Sequence, residues 1–244
     1  MEKKFNYENL ISYGKDLLVA AGVPENRALV WASCLVDSDL RGLSSHGLLR
    51  LPVYIRRVRE GLVNPNASLE KVKDFGAVAL LDSHNGIGQF SSTEAMKLAI
   101  EKAKTMGIGC VGLGHGTHSG ACGHYSEMAI KENMIGFAMF NTNPLIAVYG
   151  GSKKVIGNNP FSVAIPALRH DPIVLDMACS VAQGKIQLFA REGKALPSGW
   201  AVDENGNPTT DPKEALKGVL LPIAGPKGSG IALVVDIICG LLTN

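Results

Sequence analysis

The N-terminal part of the chain has apolar residues at helical spacing. A first helix is predicted to end at Gly22, where the backbone can turn left-handed, and its apolar face carries Leu10, Ile11, Leu17, Leu18 and Ala21. A second helix is predicted from Pro24, with one face formed by Ala28, Trp31, Ala32, Leu35 and Val36. A third is predicted after Pro52, because proline fits a first helical turn, and ends at Gly61. Residues 62–68 are predicted to be a linker.

The pattern then changes to short apolar runs separated by helical segments. Strands are predicted at 77–81, 108–113, 135–140, 161–165 and 173–175. One helix is predicted from Ser91 and Glu94, which have capping-box spacing, and it ends at Gly107. Further helices are predicted at 125–133, at 181–191 and from near Ser229 onward. The pair Asn205-Gly206 predicts a tight turn.

These patterns predict an α/β (α+β) protein in two parts, a small helical N-terminal domain at 1–75 and a mixed-sheet domain at 76–244. The sequence stops within an apolar helical segment, at Leu241-Leu-Thr-Asn244, without a capping residue. We therefore expect that a further segment normally follows.

Composition narrows the class of protein. Of the 244 residues, 46% are hydrophobic and 19% charged, which is typical of a globular enzyme, and the net charge of +2 gives no basic field for nucleic acid. No apolar run is long enough to cross a bilayer, and the N-terminus lacks the apolar core of a signal peptide. Five cysteines without paired spacing predict reduced thiols. We expect a cytoplasmic protein with no nucleic-acid or membrane partner.

Gly107, Gly109 and Gly112 have the spacing of a dinucleotide-binding fingerprint. In that fold the glycines follow a strand and open a helix, so that helix amides meet the pyrophosphate. Here they close a predicted helix and enter a predicted strand. We therefore predict that the chain has no parallel, doubly wound sheet.

The next loop, between Gly112 and Gly123, is more promising because it lies between a strand and a helix. Glycines let the backbone approach a ligand closely and expose N–H donors. Metal binding is the competing interpretation, since the loop and its end hold His115, His118, Cys122 and His124. Structural zinc sites draw their ligands from two separate pairs, and no second cluster is present. We predict a ligand-binding loop without a metal.

His46 and Arg50 offer the chemistry of a 2-oxo acid reductase. A histidine can move the proton because its pKa lies near neutrality, and an arginine can hold the carboxylate with two parallel hydrogen bonds. If this segment is helical, His46, Arg50 and Tyr54 share one face, although Pro52 makes a regular helix doubtful. A serine hydrolase is disfavoured because no Gly-x-Ser-x-Gly motif is present.

The segment Arg41-Gly-Leu-Ser-Ser-His46-Gly-Leu-Leu-Arg50-Leu-Pro52 resembles a motif of the malate/L-lactate dehydrogenase family. This family is distinct from the ordinary lactate and malate dehydrogenases, and it includes ureidoglycolate and sulfolactate dehydrogenases and diketogulonate reductases. Similar motifs follow in the family's order at 117–120, 141–144, 157–160, 175–180, 182–185, 197–203, 209–212 and 225–228. Each is weak alone, but their joint order is specific.

The resemblance implies a homodimeric oxidoreductase that uses NAD or NADP to interconvert a small 2-hydroxy acid and its 2-oxo acid. It implies a non-Rossmann, largely antiparallel cofactor domain, here 76–244. Family members extend further at the C-terminus, so the alternative is an incomplete, inactive cofactor-binding fragment.

The resemblance also assigns site residues. His46 would carry the proton, adjusted by Ser45, with His118 as the alternative carrier, and the substrate would be bound by Arg50, Tyr54 and Asn143. The implied cofactor contacts are His118, Ser119, Gly120, Ala121, Cys122, Asp176, Met177, Ala178, Cys179, Lys185, Pro226 and Lys227.

Overall fold

Three helices form the N-terminal part of the computed structural model, which describes residues 4–181 and 183–243. They are α1 (Tyr7–Ala20), α2 (Glu25–Leu40) and α3 (Leu51–Arg59). The Asn6 side chain caps α1 by accepting a hydrogen bond from the backbone N–H of Asn9, and Gly22 follows with a φ of 96°. The three predicted helices are confirmed.

The core of this part is built on Trp31 of α2. Its ring packs against that of Tyr54 on α3 with 5.1 Å between centroids, and the whole predicted apolar face of α2 is buried. The predicted linker is not a loose segment, because Arg27 donates to the carbonyls of Pro65 and Ala67 at 2.7 and 2.8 Å. Residues 62–68 are therefore fastened to α2.

The first sheet has the order β1-β2-β3, with β1 (Glu70–Phe75), β2 (Val78–Asp82) and β3 (Cys110–Gly114). β1 and β2 are antiparallel, whereas β2 and β3 are parallel and joined through α4 (Gly88–Met106). β1 was not predicted because all six of its residues are exposed and show no alternation of burial. Gly107 ends α4 with a φ of 79°, so the glycine pattern closes a helix, as predicted.

The predicted capping box at the start of α4 is wrong. The helix begins three residues earlier, at Gly88, and Ser91 lies inside it. The Ser91 hydroxyl is buried against that of Ser83 at 2.6 Å. A tertiary partner therefore replaced the local capping role that the sequence suggested.

The predicted helix at 125–133 is a short α5 (Gly123–Ser126) followed by a 3-10 segment (Glu127–Glu132). The second sheet has the order β4-β5-β6, with β4 (Gly136–Met139), β5 (Phe161–Ile165) and β6 (Ile173–Met177). All three of these strands were predicted.

The C-terminal elements include the third sheet, an antiparallel one of order β8-β7-β9, with β7 (Ala201–Val202), β8 (Pro208–Thr209) and β9 (Val219–Leu220). The predicted turn at Asn205-Gly206 joins β7 and β8. The helices here are α6 (Gln183–Glu192), α7 (Pro212–Lys217) and α8 (Pro226–Asp236), with a π-helical segment (Ile237–Leu241) after α8. α8 begins earlier than the predicted Ser229, because Pro226 occupies its first turn.

The contacts group the chain into two units. The first holds the chain up to residue 137 with 163–174 and 243, and the second holds 138–162 and 175–242. The boundary between the two units therefore does not lie at residue 75. The division into a helical and a cofactor-binding domain stays a prediction. The mixed α/β class is confirmed, with no parallel, doubly wound sheet among the described residues. Over the same residues, no helix is long and apolar enough to span a membrane.

Gly109 tests how closely β3 packs on α4. A Cβ there would lie 1.9 Å from the Ala99 carbonyl oxygen, whereas one at Gly230, inside α8, would meet nothing within 4 Å. We expect Gly109→Ala to lower the free energy of unfolding by about 1–3 kcal/mol or more through overpacking. Gly230→Ala should raise it by roughly 0.5–1 kcal/mol through helix propensity. Urea denaturation measures both, and equal effects would contradict the packing described.

Candidate active site

The segment that carries His46 and Arg50 consists of two 3-10 turns, Ser44–His46 and Leu48–Arg50. Gly47 between them is extended, with φ −89° and ψ −159°, so the condition for a shared helical face, a continuous helix, is not met. The Asp39 carboxylate accepts from the Leu48 N–H at 2.8 Å and would lie only 1.9 Å from a Cβ at Gly47. A side chain at position 47 would therefore displace the Asp39 carboxylate from its bond with Leu48.

The loop that carries His118 lies against the start of α4. A Cβ at Gly88 would be 2.3 Å from the Thr117 carbonyl oxygen, so the two backbones touch. The Thr117 hydroxyl accepts from the Gly88 N–H at 3.1 Å and donates to the Gly86 carbonyl at 2.7 Å. Ser92 donates to the Ser119 hydroxyl at 3.0 Å. The loop is therefore fixed at both sides of His118.

Within the first unit the two segments meet at their histidines. The His46 and His118 rings stack with 5.9 Å between centroids, and the Tyr54 hydroxyl lies 2.7 Å from His118 Nδ1. Ser45 Oγ lies 3.0 Å from His46 Nδ1, and Arg50 Cζ stands 5.8 Å from the centre of the Tyr54 ring. Five predicted residues, from α3 and two loops, thus form one cluster.

The proton on neutral His118 can be placed from its neighbours. The Gly120 N–H can only donate, and it points at His118 Nδ1 at 3.2 Å, so Nδ1 is an acceptor and the ring proton is on Nε2. Desolvation of the ring and the nearby charges of Arg50, His46 and Arg57 lower the pKa of His118 to about 4. The residue as a whole is exposed, and its Nδ1 edge faces the Tyr54 hydroxyl. His118 is neutral near pH 7.

Arg50 and Tyr54 supply the polar wall of the cluster. Arg50 Nε is buried and has no hydrogen-bond partner among the described residues. Burial raises the pKa of the Tyr54 hydroxyl, although Arg50 opposes this, so the hydroxyl keeps its proton near neutrality. An unsatisfied buried guanidinium nitrogen is costly, and an anion placed beside it would remove that cost.

The predicted residues from Asn143 onward lie in the second unit. The Cys179 carbonyl accepts from the Ile223 N–H at 2.8 Å, and Ser180 forms a β-bridge with Pro222. The Asp176–Cys179 segment therefore runs beside the residues that lead into α8, whose first turn holds exposed Pro226 and Lys227. Exposed Lys185 lies over the Trp200 ring at 5.7 Å, and Asn143 is exposed as well.

A model of the malate/L-lactate dehydrogenase family matches residues 5–244. The chain belongs to this family.

The chain is similar to several named members. It is 42% identical to malate/(S)-sulfolactate dehydrogenase of Methanothermus fervidus, covering 93% of this chain and 67% of that one. It is 33% identical to ureidoglycolate dehydrogenase (NAD(+)) of Escherichia coli O157:H7, over 98% and 68% of the two chains. The structure superposes on sulfolactate dehydrogenase from Methanocaldococcus jannaschii with a TM-score of 0.92 at 42% identity, covering 96% and 68%. The chain thus spans about two thirds of the length of these relatives.

Two of the implied cofactor contacts have side chains that are buried within the structure. Cys122 and Cys179 are buried, and Cys179 uses both its N–H and its carbonyl within the unit. The motif at 182–185 begins at Ala182, which lies outside the described residues. Within residues 4–181 and 183–243, no group of three or more His, Cys, Asp or Glu side chains could hold a metal ion.

Sequence reasoning missed Gln89. This residue is fully buried in the first turn of α4, and its Nε2 donates to the Tyr54 hydroxyl at 3.3 Å. The available signal was a polar residue beside Gly86 and Gly88, in a segment without a clear capping residue. Without the fold, nothing connected that segment to the histidines.

An ionic cluster anchors the far end of the His118 loop to α2. His124 Nδ1 and Arg41 Nε both lie 3.0 Å from one carboxylate oxygen of Asp37, and Arg41 also pairs with Glu127. Burial opposes both ionised forms, yet hydrogen bonding outweighs it. These hydrogen bonds lower the pKa of Asp37 to about 2 and raise the pKa of His124 to about 9. His124 is therefore a charged structural residue, held by Asp37.

This cluster predicts a pH dependence of stability. Because the pKa of His124 is raised, its contribution is complete below the unfolded value of about 6.5 and is lost as the pH rises through about 9. Because the pKa of Asp37 is lowered, its contribution is complete above about 3.9 and is lost as the pH falls through about 2. Asp37→Asn should lower the free energy of unfolding most between about pH 3.9 and pH 6.5, where both contributions are complete. Above neutrality, the free energy of unfolding should fall less steeply with pH in this variant than in the wild type.

Urea denaturation at several pH values measures this effect, with Asp171→Asn in an exposed loop as the control. A curve for Asp37→Asn that runs parallel to the wild-type curve from pH 6 to 9 would show that His124 is not held by Asp37.

Proposed function

We propose that this chain is an NAD(P)-dependent oxidoreductase, acting on the CH–OH group of a small 2-hydroxy acid to give the 2-oxo acid. The observation that carries the proposal is the cluster of His46, His118, Tyr54 and Arg50 within one unit. It combines a proton carrier, a neutral hydrogen-bond donor and an anion partner at neighbouring positions. The relatives' names support the reaction class, since they are malate, sulfolactate and ureidoglycolate dehydrogenases.

His46 is the proposed proton carrier. Its Nδ1 is engaged by Ser45, which can steady the ring as the proton state changes. His118 is less suited to that role, because its Nε2 carries the proton and its Nδ1 is occupied by Tyr54 and Gly120. A neutral imidazole of this kind can donate to an oxo oxygen without giving up its proton. The two histidines thus take different tasks.

Arg50 is the proposed carboxylate partner, and Tyr54 supplies a second donor beside it. The buried Nε of Arg50 has no described partner, which suits a bound anion. A planar guanidinium fixes the orientation of a carboxylate with two parallel bonds. We include Asn143 as a further substrate contact on the family resemblance alone.

The relatives' names include both NAD(+)- and NADP(+)-dependent dehydrogenases, and we propose one of these cofactors here. On the family resemblance, the proposed contacts are residues 118–122 and 176–179, with Lys185, Pro226 and Lys227. The start of α8 suits a phosphate, because helix N-terminal amides and the Lys227 ammonium favour negative charge there. When bound, the nicotinamide supplies or accepts the hydride. We also propose a homodimer, on the resemblance alone.

Two measurements test the function. The 244-residue chain is first mixed with NADH or NADPH while nicotinamide fluorescence is followed. It is then assayed with a panel of 2-oxo acids. Turnover of one or more acids is expected. Binding without turnover would favour the alternative, an inactive cofactor-binding fragment, and absence of both would contradict the proposal.

His46→Asn should lower kcat by about 10²- to 10⁴-fold, the usual worth of general acid–base catalysis, and leave cofactor affinity unchanged. His115→Asn is the matched control. This exposed histidine lies in the same loop as His118, three residues before it, and contacts Asp82. If His118→Asn shows the large loss while His46→Asn is nearly silent, the two histidines have the opposite roles.

Arg50→Lys should lower kcat/KM by about 30- to several-thousand-fold, since weakening one partner of a buried charge pair costs roughly 2 to 5 kcal/mol. A lysine ammonium cannot fix the plane of a carboxylate, whereas NAD(P)H binding should not change. Arg56→Lys, on the exposed side of α3, is the control. Rates are compared for each acid and its neutral amide. If Arg50→Lys keeps the wild-type preference for the acid, the carboxylate is bound elsewhere.

A further inference from the structure

The buried amide of Gln89 faces the Tyr54 hydroxyl, which in turn faces His118. The distances are 3.3 Å from Gln89 Nε2 to the Tyr54 oxygen and 2.7 Å from that oxygen to His118 Nδ1. Gln89 is fully buried, and its side chain also lies 3.6 Å from where a Cβ of Gly120 would be. Three side chains from α4, α3 and the loop therefore form one line of hydrogen bonds.

The direction of each proton along this line follows from Gly120. Since the Gly120 N–H donates to His118 Nδ1, that nitrogen carries no proton in the neutral ring. The proton of the short Tyr54–His118 contact must then be on the Tyr54 hydroxyl. Its oxygen consequently presents lone pairs to Gln89, which must offer its NH₂ group.

The opposite orientation of the amide is disfavoured. Turning it over would place Gln89 Oε1 at the Tyr54 hydroxyl and compete with His118 for the same proton. In the present orientation, Gln89 Oε1 is buried and has no hydrogen-bond partner among the described residues. Turning the amide would place the NH₂ group at that position, where its hydrogens would have no acceptor. One orientation alone keeps the bond from Tyr54 to His118.

We propose that Gln89 is a positioning residue, which directs the Tyr54 proton at His118 Nδ1 and so keeps His118 neutral with its proton on Nε2. Protonation of Nδ1 would force the Tyr54 proton towards the Gln89 NH₂ group, where two hydrogens would face each other. The inference rests on the proposed function for its meaning, because a neutral His118 can donate to the oxo oxygen while His46 moves the proton.

The test is the titration of His118 in the 244-residue chain, followed by NMR of the ring without substrate or cofactor and assigned with His118→Gln. Gln89→Met keeps the side-chain length and removes the donor. It should raise the pKa of His118 by about one unit, a roughly tenfold change in proton affinity. Ser91→Ala is the matched control, because it removes another buried hydrogen bond of α4 and should leave the titration unchanged.

A double-mutant cycle tests whether Gln89 acts through Tyr54. In a Tyr54→Phe background, Gln89→Met should have no further effect on the His118 titration. An unchanged titration in Gln89→Met, or the same rise in both backgrounds, overturns the proposal.

Gln89→Glu serves if the methionine variant does not fold. Once ionised, its carboxylate raises the pKa of His118 by charge attraction alone, so a rise supports the proposal only if it is smaller in the Tyr54→Phe background. An equal rise in both backgrounds overturns it. An unchanged titration would again overturn it. Because the titration needs no turnover, its failure and a failure of the proposed function are distinguishable.

Discussion

The hydrogen bond between the Tyr54 hydroxyl and His118 Nδ1 is the contact on which the candidate site depends. It joins α3, which follows His46 and Arg50, to a glycine-rich loop 64 residues further along the chain. Tyr54 can hold this position because its ring is packed on Trp31 in the helical core. The packing of the core thereby sets the geometry of the polar cluster.

Close backbone contact is the second constraint on the site. Gly88 touches the backbone of Thr117 and His118, and Gly47 leaves room for the Asp39 carboxylate. Backbone atoms exclude a side chain at Gly88, whereas a side chain at Gly47 would displace the Asp39 carboxylate. Glycine at these two positions therefore allows close approach of another segment. Gly22 and Gly107 instead adopt a left-handed backbone conformation, which glycine tolerates best.

Two neighbouring groups of residues hold their histidines in different protonation states. Near Asp37, hydrogen bonding keeps His124 ionised, and the charge fastens α5 to α2. Near Tyr54, desolvation and nearby positive charge keep His118 neutral. Two histidines six residues apart thus have opposite protonation states at neutral pH, because one faces a carboxylate and the other an arginine.

The sequence by itself determined the helices of the N-terminal part, the strands β2 to β6 and the family, since these rest on local periodicity and ordered motifs. It also singled out His46, Arg50 and His118 through residue chemistry and resemblance. Only the tertiary structure revealed β1, the true start of α4, the break at Gly47 and the buried contact of Gln89 with Tyr54. These depend on partners distant in the chain, such as Ser83 for Ser91 and Tyr54 for Gln89, and no local pattern encodes such partners.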